Sequence, residues 1–304
     1  MTRRVNMKLG LIGLGKMGYN LALNLADKNH EVVCYNRTSE KTKSIEKEGL
    51  SGAYSLSDLV KALPQPRVIW LMLTAGIVVD EMISSLLPLL SEGDIIIDGG
   101  NSNYHDTLRR YEQLKNQKIN FVDVGTSGGI EGARNGACMM VGAEDDIFKI
   151  IEPIIKSSCV ENGYLHTGAN GSGHYVKMVH NGIEYGMLQA IGEGFEILEK
   201  SRFDLDFQKV AKVWNNGSVI RGWLMGLMET AFTKDPHLDK IKGEIRSSGE
   251  GLWTVQEALD LHVPAHVITD SVFVRYRSFQ NDTFSGKVIA ALRNEFGGHE
   301  VTKK

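Results

Sequence analysis

The segment HYVKMVHNGIEYG, residues 174–186, places Lys177, His180, Asn181 and Glu184 at offsets of three, four and seven. At about 100° per residue these side chains share an arc of about 100° on an α-helix. An amine and a carboxyl on one helix face form an acid/base pair, with a histidine and an amide between them to bind or orient a substrate. Lys177 is expected in the first turn of this helix, where the dipole disfavours its cation and favours a basic amine. Glu184, if withdrawn from water, keeps its proton and can act as an acid. A metal centre is a poorer reading, because one His and one Glu seven residues apart lack ligand clustering. The spacing alone leaves a second reading open, a surface helix with a solvated polar stripe. Gly182 and Gly186 on the opposite side count against it, since each costs about 1 kcal/mol relative to Ala unless it permits close packing.

A second group of residues could hold a dinucleotide. GLGKMG supplies Gly13, Gly15 and Gly18 in G-x-G-x-x-G spacing, between the apolar run KLGLI and a helix-like segment. In that context the glycines permit a tight turn, a close approach of pyrophosphate, and close helix–strand packing. The helix start then offers free N–H groups to the anion. The candidate contacts are Gly13, Leu14, Gly15, Lys16, Met17 and Gly18. After the next apolar run comes Asn36-Arg37-Thr38, where an NAD enzyme usually carries an acidic residue. An arginine fork with a neighbouring amide and hydroxyl suits a 2′-phosphate, so NADP is favoured, with NAD as the alternative. The competing reading is a solvated Arg37 in a turn capped by Thr38 or Ser39.

The elements that position these groups follow from the hydrophobic pattern. KLGLI (8–12), EVVCY (31–35), RVIWLML (67–73), DIIID (94–98) and INFVDV (119–124) are short apolar runs separated by helix-length segments. Such alternation predicts a Rossmann-type α/β domain, a doubly wound parallel sheet with helices on both faces. Ligands in such folds lie beyond the carboxyl ends of the strands. Three loops there are candidates: Leu73-Thr74-Ala75-Gly76, the GGNSNY loop with Asn101, and residues 125–137. In the last, Ser127, Gly128 and Gly129 could form a small anion nest, though taken alone such a loop is more often a flexible turn. Residues 162–173 read as a glycine-rich turn, and beyond them the pattern is helical: 174–200, 206–216, 219–232, 252–262, 264–279 and 283–294. The expected division is a dinucleotide domain over 1–168 and an all-α C-terminal domain over 169–304.

Composition narrows the function classes. The 304 residues are 42% hydrophobic and 23% charged, enough for a full core without disulfides. A net charge of −3 offers no basic excess for nucleic acid. Cys34, Cys138 and Cys159 show no paired spacing, which suits a reducing compartment and a cytoplasmic protein. The start, MTRRVNMKLGLIGLG, has charged then apolar residues, but its glycines interrupt the apolar run and make a signal peptide the weaker reading. VIWLMLTAGIVV is too short to span a bilayer. No membrane or nucleic-acid partner and no metal is expected.

The segments GLIGLGKMGYNLALNLA, NRT, GNSNY, SGGIEGAR and GSGHYVKMVHNGIEYG resemble the decarboxylating 6-phosphogluconate dehydrogenases of the β-hydroxyacid dehydrogenase superfamily. The resemblance runs from about Lys8 to His299 and is to the short form of that family. It implies that Lys177 is the general base on the C3 hydroxyl of 6-phosphogluconate while hydride passes to NADP. The 3-keto acid then loses CO2, Lys177 polarises the carbonyl, and Glu184 protonates C1 to give ribulose 5-phosphate. It further implies that His180, Asn181 and Tyr185 bind substrate, together with Asn101 and the Ser127-Gly128-Gly129 loop, Asn101 also lying near the nicotinamide. Arg275 matches the family's phosphate ligand. Arg293 and His299 match residues that reach a neighbouring subunit's site, which implies a homodimer or homotetramer.

Departures accompany these matches. Ser248 and Glu250 stand where long-form members place a lysine and a threonine against the phosphate, and Asn103 and Ile130 replace acidic residues. The resemblance leaves two rivals: a non-decarboxylating enzyme of the 3-hydroxyisobutyrate type, and an NADP-binding sensor without chemistry. Glu184 and the RNEFGGH tail argue against the first, and the Lys177–Glu184 pair argues against the second.

Overall fold

The computed structural model describes residues 6–303, so the charged start with Arg3 and Arg4 lies outside the described residues. The chain divides into two compact units, one ending at His180 and one beginning at Asn181. In the first, strands and helices alternate: β1 (Lys8–Ile12), α1 (Lys16–Asp27), β2 (Glu31–Tyr35), α2 (Ser39–Glu46), β3 (Ser51–Ala53), α3 (Leu56–Lys61), β4 (Val68–Leu71), α4 (Ile77–Leu86), β5 (Ile95–Asp98), α5 (Tyr104–Lys115), β6 (Asn120–Ser127), α6 (Gly129–Asn135), β7 (Ala137–Gly142), α7 (Asp145–Ser158) and β8 (Cys159–Gly168).

Among the described residues the strands form one eight-stranded sheet, ordered β3-β2-β1-β4-β5-β6-β7-β8. Neighbours are parallel except β6 and β7, which pair antiparallel with Asp123 opposite Gly142 and Ser127 opposite Cys138. The order reverses between β1 and β4, the switch point where such sheets open a crevice for ligand.

Strand periodicity of two sorts the apolar side chains onto the two faces. Leu9, Leu11, Trp70, Ile95, Ile97, Val122 and Val124 pack with α1 and α7. Ile12, Ile69, Leu71, Ile96 and Phe121 pack with α3, α4 and α5. Because β4 and β5 are buried along their length, they read as continuous apolar runs. Each such side chain contributes about 1.5–3 kcal/mol of burial.

The five apolar runs and the helical second half appear as expected. Two loop readings are corrected. Residues 125–137 are the end of β6 and the short helix α6, because an antiparallel return to β7 needs only a brief connection. Residues 162–168 are part of β8 rather than a turn, and β8 pairs with β7 from Cys159 to Gly168 through two register shifts. Gly163 allows that approach: a Cβ there would meet Ala137 O at 2.8 Å. β3 and β7 lie outside those five runs, β3 being only three residues long and β7 the apolar segment Ala137–Gly142.

α8 (Ser172–Glu199) starts in the first unit and continues into the second. The division by packing falls inside it, and the division expected near residue 168 falls where β8 ends. The second unit continues with α9 (Phe207–Asn215), α10 (Trp223–Lys234), α11 (Glu250–Asp260), α12 (His266–Arg277) and α13 (Phe284–Gly297). Its small core gathers Phe195, Ala211, Met225 and Phe232. α13 buries no side chain within the chain, and Phe284 (80% exposed), Leu292 (57%) and Phe296 (76%) stand out from it. No described helix is long and apolar enough to cross a membrane.

Candidate active site

The glycine turn between β1 and α1 has the three expected geometries. Gly13 adopts φ +101°, and a Cβ there would lie 2.4 Å from Met72 O. Gly18 is closer still, its Cβ falling 1.9 Å from Gly13 O. Gly15 differs, since a Cβ on it would meet nothing within 4 Å. Gly15 is also the N-cap of α1, which has no side-chain cap and no acidic residue in its first turn. An open backbone at an uncapped helix start is what a pyrophosphate requires, so these residues fit a dinucleotide. Lys16 is exposed and Met17 half-buried beside this start. Leu14 offers only its backbone, its side chain being 1% exposed.

At the end of β2, the Asn36 amide is engaged by the chain itself. Its Oδ1 accepts from Leu14 N at 2.9 Å and its Nδ2 donates to Thr38 O at 3.1 Å. Asn36 therefore braces the glycine turn, leaving Arg37 and Thr38 as the exposed groups. Thr38 occupies the N-cap position of α2 without a side-chain cap bond. Leu73, Thr74 and Ala75 form the loop after β4. Asn101, at φ +54°, clamps the loop after β5 to β6 by accepting from Thr126 N (2.9 Å) and donating to Thr126 O (3.2 Å).

Lys177 is 4% exposed and is seated on β6. A Cβ on Gly125 would lie 2.3 Å from Lys177 Cβ, and one on Gly173 would strike Asp123 O and Met140 O. Asp123, fully buried, accepts from Gly171 N (2.6 Å) and His174 N (2.8 Å), fastening the start of α8. Burial pushes the Asp123 carboxyl above the ordinary range, with His174 and the two N–H donors opposing the rise. His174 is held in turn by Thr107, Nδ1 to Oγ1 at 2.7 Å. Neither Asp123 nor Thr107 had been singled out in the sequence; the only signal was a buried-strand aspartate, DV after NFV.

One expectation is corrected here. α8 begins at Ser172, so Lys177 is its sixth residue and lies beyond the first turn, where the dipole effect has fallen away. Its surroundings are set by packing and by His180, whose Nδ1 is 3.3 Å from Lys177 Nζ. His180 Nε2 is 3.2 Å from Ser127 Oγ. The imidazole thus bridges the amine and the Ser127 hydroxyl, with the donor in each contact set by the ring's tautomer. Gly128 (φ +116°) and Gly129 (φ +60°) follow at the start of α6.

Within the second unit, Asn181 (8% exposed) and Tyr185 (5%) are buried and Glu184 is half-buried. The back-face glycines permit the close packing expected of them: a Cβ on Gly182 would lie 2.7 Å from Thr254, and one on Gly186 3.1 Å from Val267. The Arg275 guanidinium lies 3.5 Å from the centre of the Tyr185 ring and donates to Arg246 O at 3.0 Å. A cation over an aromatic face is held in place without a carboxylate neutralising it. Glu250 is turned toward Ser248, whose hydroxyl donates to it. Arg293 and His299 are exposed; the His299 carbonyl accepts from Asn294 Nδ2.

Two families describe this chain in succession: the NAD binding domain of 6-phosphogluconate dehydrogenase over residues 8–165, and the 6-phosphogluconate dehydrogenase C-terminal domain over residues 173–295. The Bacillus subtilis (strain 168) protein YqeC, provisionally named a 6-phosphogluconate dehydrogenase, is 55% identical over 298 residues, covering 98% of this chain and 100% of that protein. An NAD(+)-dependent, decarboxylating 6-phosphogluconate dehydrogenase of Haloferax volcanii is 42% identical over 98% of this chain and 99% of its own length. Among solved structures, Plasmodium falciparum 6-phosphogluconate dehydrogenase, studied apo, with its cofactor NADP+ and with its substrate, aligns with TM-score 0.83 and 31% identity, over 98% of this chain and 66% of that one. With both units matched and whole-length relatives this similar, the chain belongs to the 6-phosphogluconate dehydrogenase family.

Proposed function

We propose that this enzyme converts 6-phosphogluconate to ribulose 5-phosphate and CO2 with reduction of NADP. The observation that carries the reading is Lys177: a buried amine seated against Gly125, 3.3 Å from His180, on the helix that bears Glu184 seven residues later.

The residue roles follow from chemistry. Gly13 to Gly18 and the loop Leu73-Thr74-Ala75 hold the dinucleotide, which supplies the hydride acceptor. Lys177 Nζ takes the proton of the substrate C3 hydroxyl. Once C3 is a carbonyl β to the carboxylate, Lys177 returns that proton to the C3 oxygen as CO2 leaves. The Glu184 carboxyl delivers a proton to C1 of the resulting enediol while Lys177 takes the proton back from the adjacent hydroxyl, which becomes the ketone of ribulose 5-phosphate. Ser127, Gly128, Gly129, His180, Asn181 and Asn101 hold the sugar acid, and Tyr185 and Arg275 take its phosphate.

Arg37, exposed at the end of β2 with no carboxylate from Asn36 to Thr38, supports the 2′-phosphate and hence NADP. One finding favours NAD instead: the Haloferax volcanii relative is NAD(+)-dependent. We place the enzyme in the cytoplasm, a reading supported by three free thiols. The uncovered apolar side chains of α13 support a homodimer or homotetramer in which Arg293 and His299 serve a neighbouring site.

The decisive assay supplies 6-phosphogluconate with NADP or NAD and traps CO2. Stoichiometric CO2 with cofactor reduction is expected. Reduction without CO2 would mark a non-decarboxylating hydroxyacid dehydrogenase, and tight dinucleotide binding without reduction would mark a sensor.

A further inference from the structure

After Trp70, Arg110 of α5 is the largest fully buried side chain among the described residues, at 1% exposure. All five of its N–H groups are used. Nε donates to Asp80 Oδ1 (2.8 Å) and Nη2 to Asp80 Oδ2 (3.1 Å) and Gly76 O (2.9 Å). Nη1 donates to Ser102 Oγ (3.1 Å) and Asp98 Oδ2 (3.3 Å). Ser102 Oγ also donates to Asp98 Oδ2 at 2.7 Å, and Asp98 is itself fully buried.

Asp80 lies in the first turn of α4, and the other acceptors border two loops. Gly76 closes the loop after β4 that carries Leu73, Thr74 and Ala75. Asp98 and Ser102 bracket the loop after β5 that carries Asn101. The loops touch where a Cβ on Gly100 would lie 2.4 Å from Leu73 O, and Gly100 N donates to Asp98 Oδ1 at 3.0 Å. Beyond Gly100 the bonding continues through the Asn101 amide to Thr126, and from the next residue, Ser127, through His180 to Lys177. A buried ion cluster is weak evidence for stability, because well-packed apolar groups often serve as well. What it provides is a fixed geometry, as a fully satisfied polar network does.

We propose that Arg110 is a positioning residue of this enzyme: by locking the loops after β4 and β5 into one body, it sets the place of Asn101 and, through Thr126 and Ser127, of the His180–Lys177 pair. The proposal rests on the reading of Lys177 given above. Arg109, the adjacent residue on α5, binds the same Asp80 carboxylate at 3.0 Å, but from a position 52% exposed, and its other bond is to Asp106 of α5 itself.

The test compares Arg110→Lys, Ser102→Ala and Asp80→Asn with Arg109→Ala as the control. Thermal midpoints, dinucleotide dissociation constants, and kcat and KM well below the midpoint are measured for each. A lysine keeps the charge and loses the fork, so kcat should fall at least about tenfold, within the roughly hundredfold that a displacement of about 1 Å can cost. Ser102→Ala and Asp80→Asn should stay folded, weaken the dinucleotide severalfold and lower kcat, while Arg109→Ala stays within about twofold of the parent in both. Parental kcat and dinucleotide affinity in Ser102→Ala and Asp80→Asn would overturn the proposal, whether or not Arg110→Lys folds. An equal loss in Arg109→Ala would overturn it too, since the effect would then be general electrostatics. Should the parent enzyme itself fail to oxidise 6-phosphogluconate, the functional reading falls, and the dinucleotide affinities still decide whether Arg110 organises the loops.

Discussion

Lys177 rests on Gly125: a methyl group at Gly125 would lie 2.3 Å from the lysine's Cβ. The absence of a side chain on β6 is therefore what lets α8 approach and bring its amine to the strand end. Gly125→Ala, in extended backbone that alanine tolerates, should push α8 outward. A shift of about 1 Å can cost about a hundredfold in rate, so kcat should fall by one to two orders of magnitude while dinucleotide affinity holds. Lys177→Ala should lower kcat by about 10²–10⁴ with the same affinity retained. Full activity in Lys177→Ala would remove its role as base.

Gly15 and Gly18 should respond differently to alanine. At Gly15 the backbone (φ −68°) and the open space beside it accept a methyl, and the entropy gained by removing glycine is offset by alanine's poorer N-cap, so Gly15→Ala should stay within about 1 kcal/mol of the parent in urea unfolding. The same methyl fills the approach to the helix start and should weaken NADP or NAD. Gly18→Ala puts a Cβ 1.9 Å from Gly13 O and should lose about 1–3 kcal/mol. Unchanged dinucleotide affinity in Gly15→Ala, measured by titration, would argue against a pyrophosphate at this turn.

Arg37→Ala should separate the two cofactors. Loss of the guanidinium fork should weaken NADP by at least about tenfold and leave NAD within about twofold. Equal weakening of both, by isothermal titration, would mean that Arg37 contacts the shared part of the dinucleotide or nothing at all.

Asp80 should make the first unit acid-sensitive. Its hydrogen bonds from Arg110, above all, hold the carboxyl below the ordinary Asp range, against the effect of burial. A depressed carboxyl stabilises the fold fully above its unfolded value, about pH 4, and loses that contribution as pH falls through the folded value. Stability measured below pH 4 should therefore drop less steeply in Asp80→Asn than in the parent. Parallel curves would show that the carboxylate carries no such linkage.

The three thiols should alkylate unequally. Burial pushes both Cys34 and Cys159 up to about 12, so neither is a thiolate near neutrality, whereas Cys138 is exposed. Iodoacetamide at pH 8 should label Cys138 alone in the folded enzyme and all three after denaturation, read by peptide mass.

What the chain declares locally was legible without coordinates. Apolar runs such as KLGLI and DIIID, the spacing of Gly13, Gly15 and Gly18, and the stripe from Lys177 to Glu184 all encode short-range periodicity, because each strand or helix must show its neighbours one repeating face. The alternation of these runs sufficed for the doubly wound sheet, and the helical second half followed from its own period. Partners distant in sequence were not legible. That Asn36 would spend its amide on Leu14 and Thr38, that Asp123 would fasten α8, or that residues 162–168 would pair with β7 depends on which surfaces meet after the sheet closes. Arg110 shows the difference most plainly: in sequence it is one of two adjacent arginines on a polar helix, and only tertiary packing removes it from water while leaving Arg109 exposed. Burial and hydrogen-bond satisfaction are properties of the assembled unit, so the candidate site residues could be named from their spacing, and the residues that hold them in place could not.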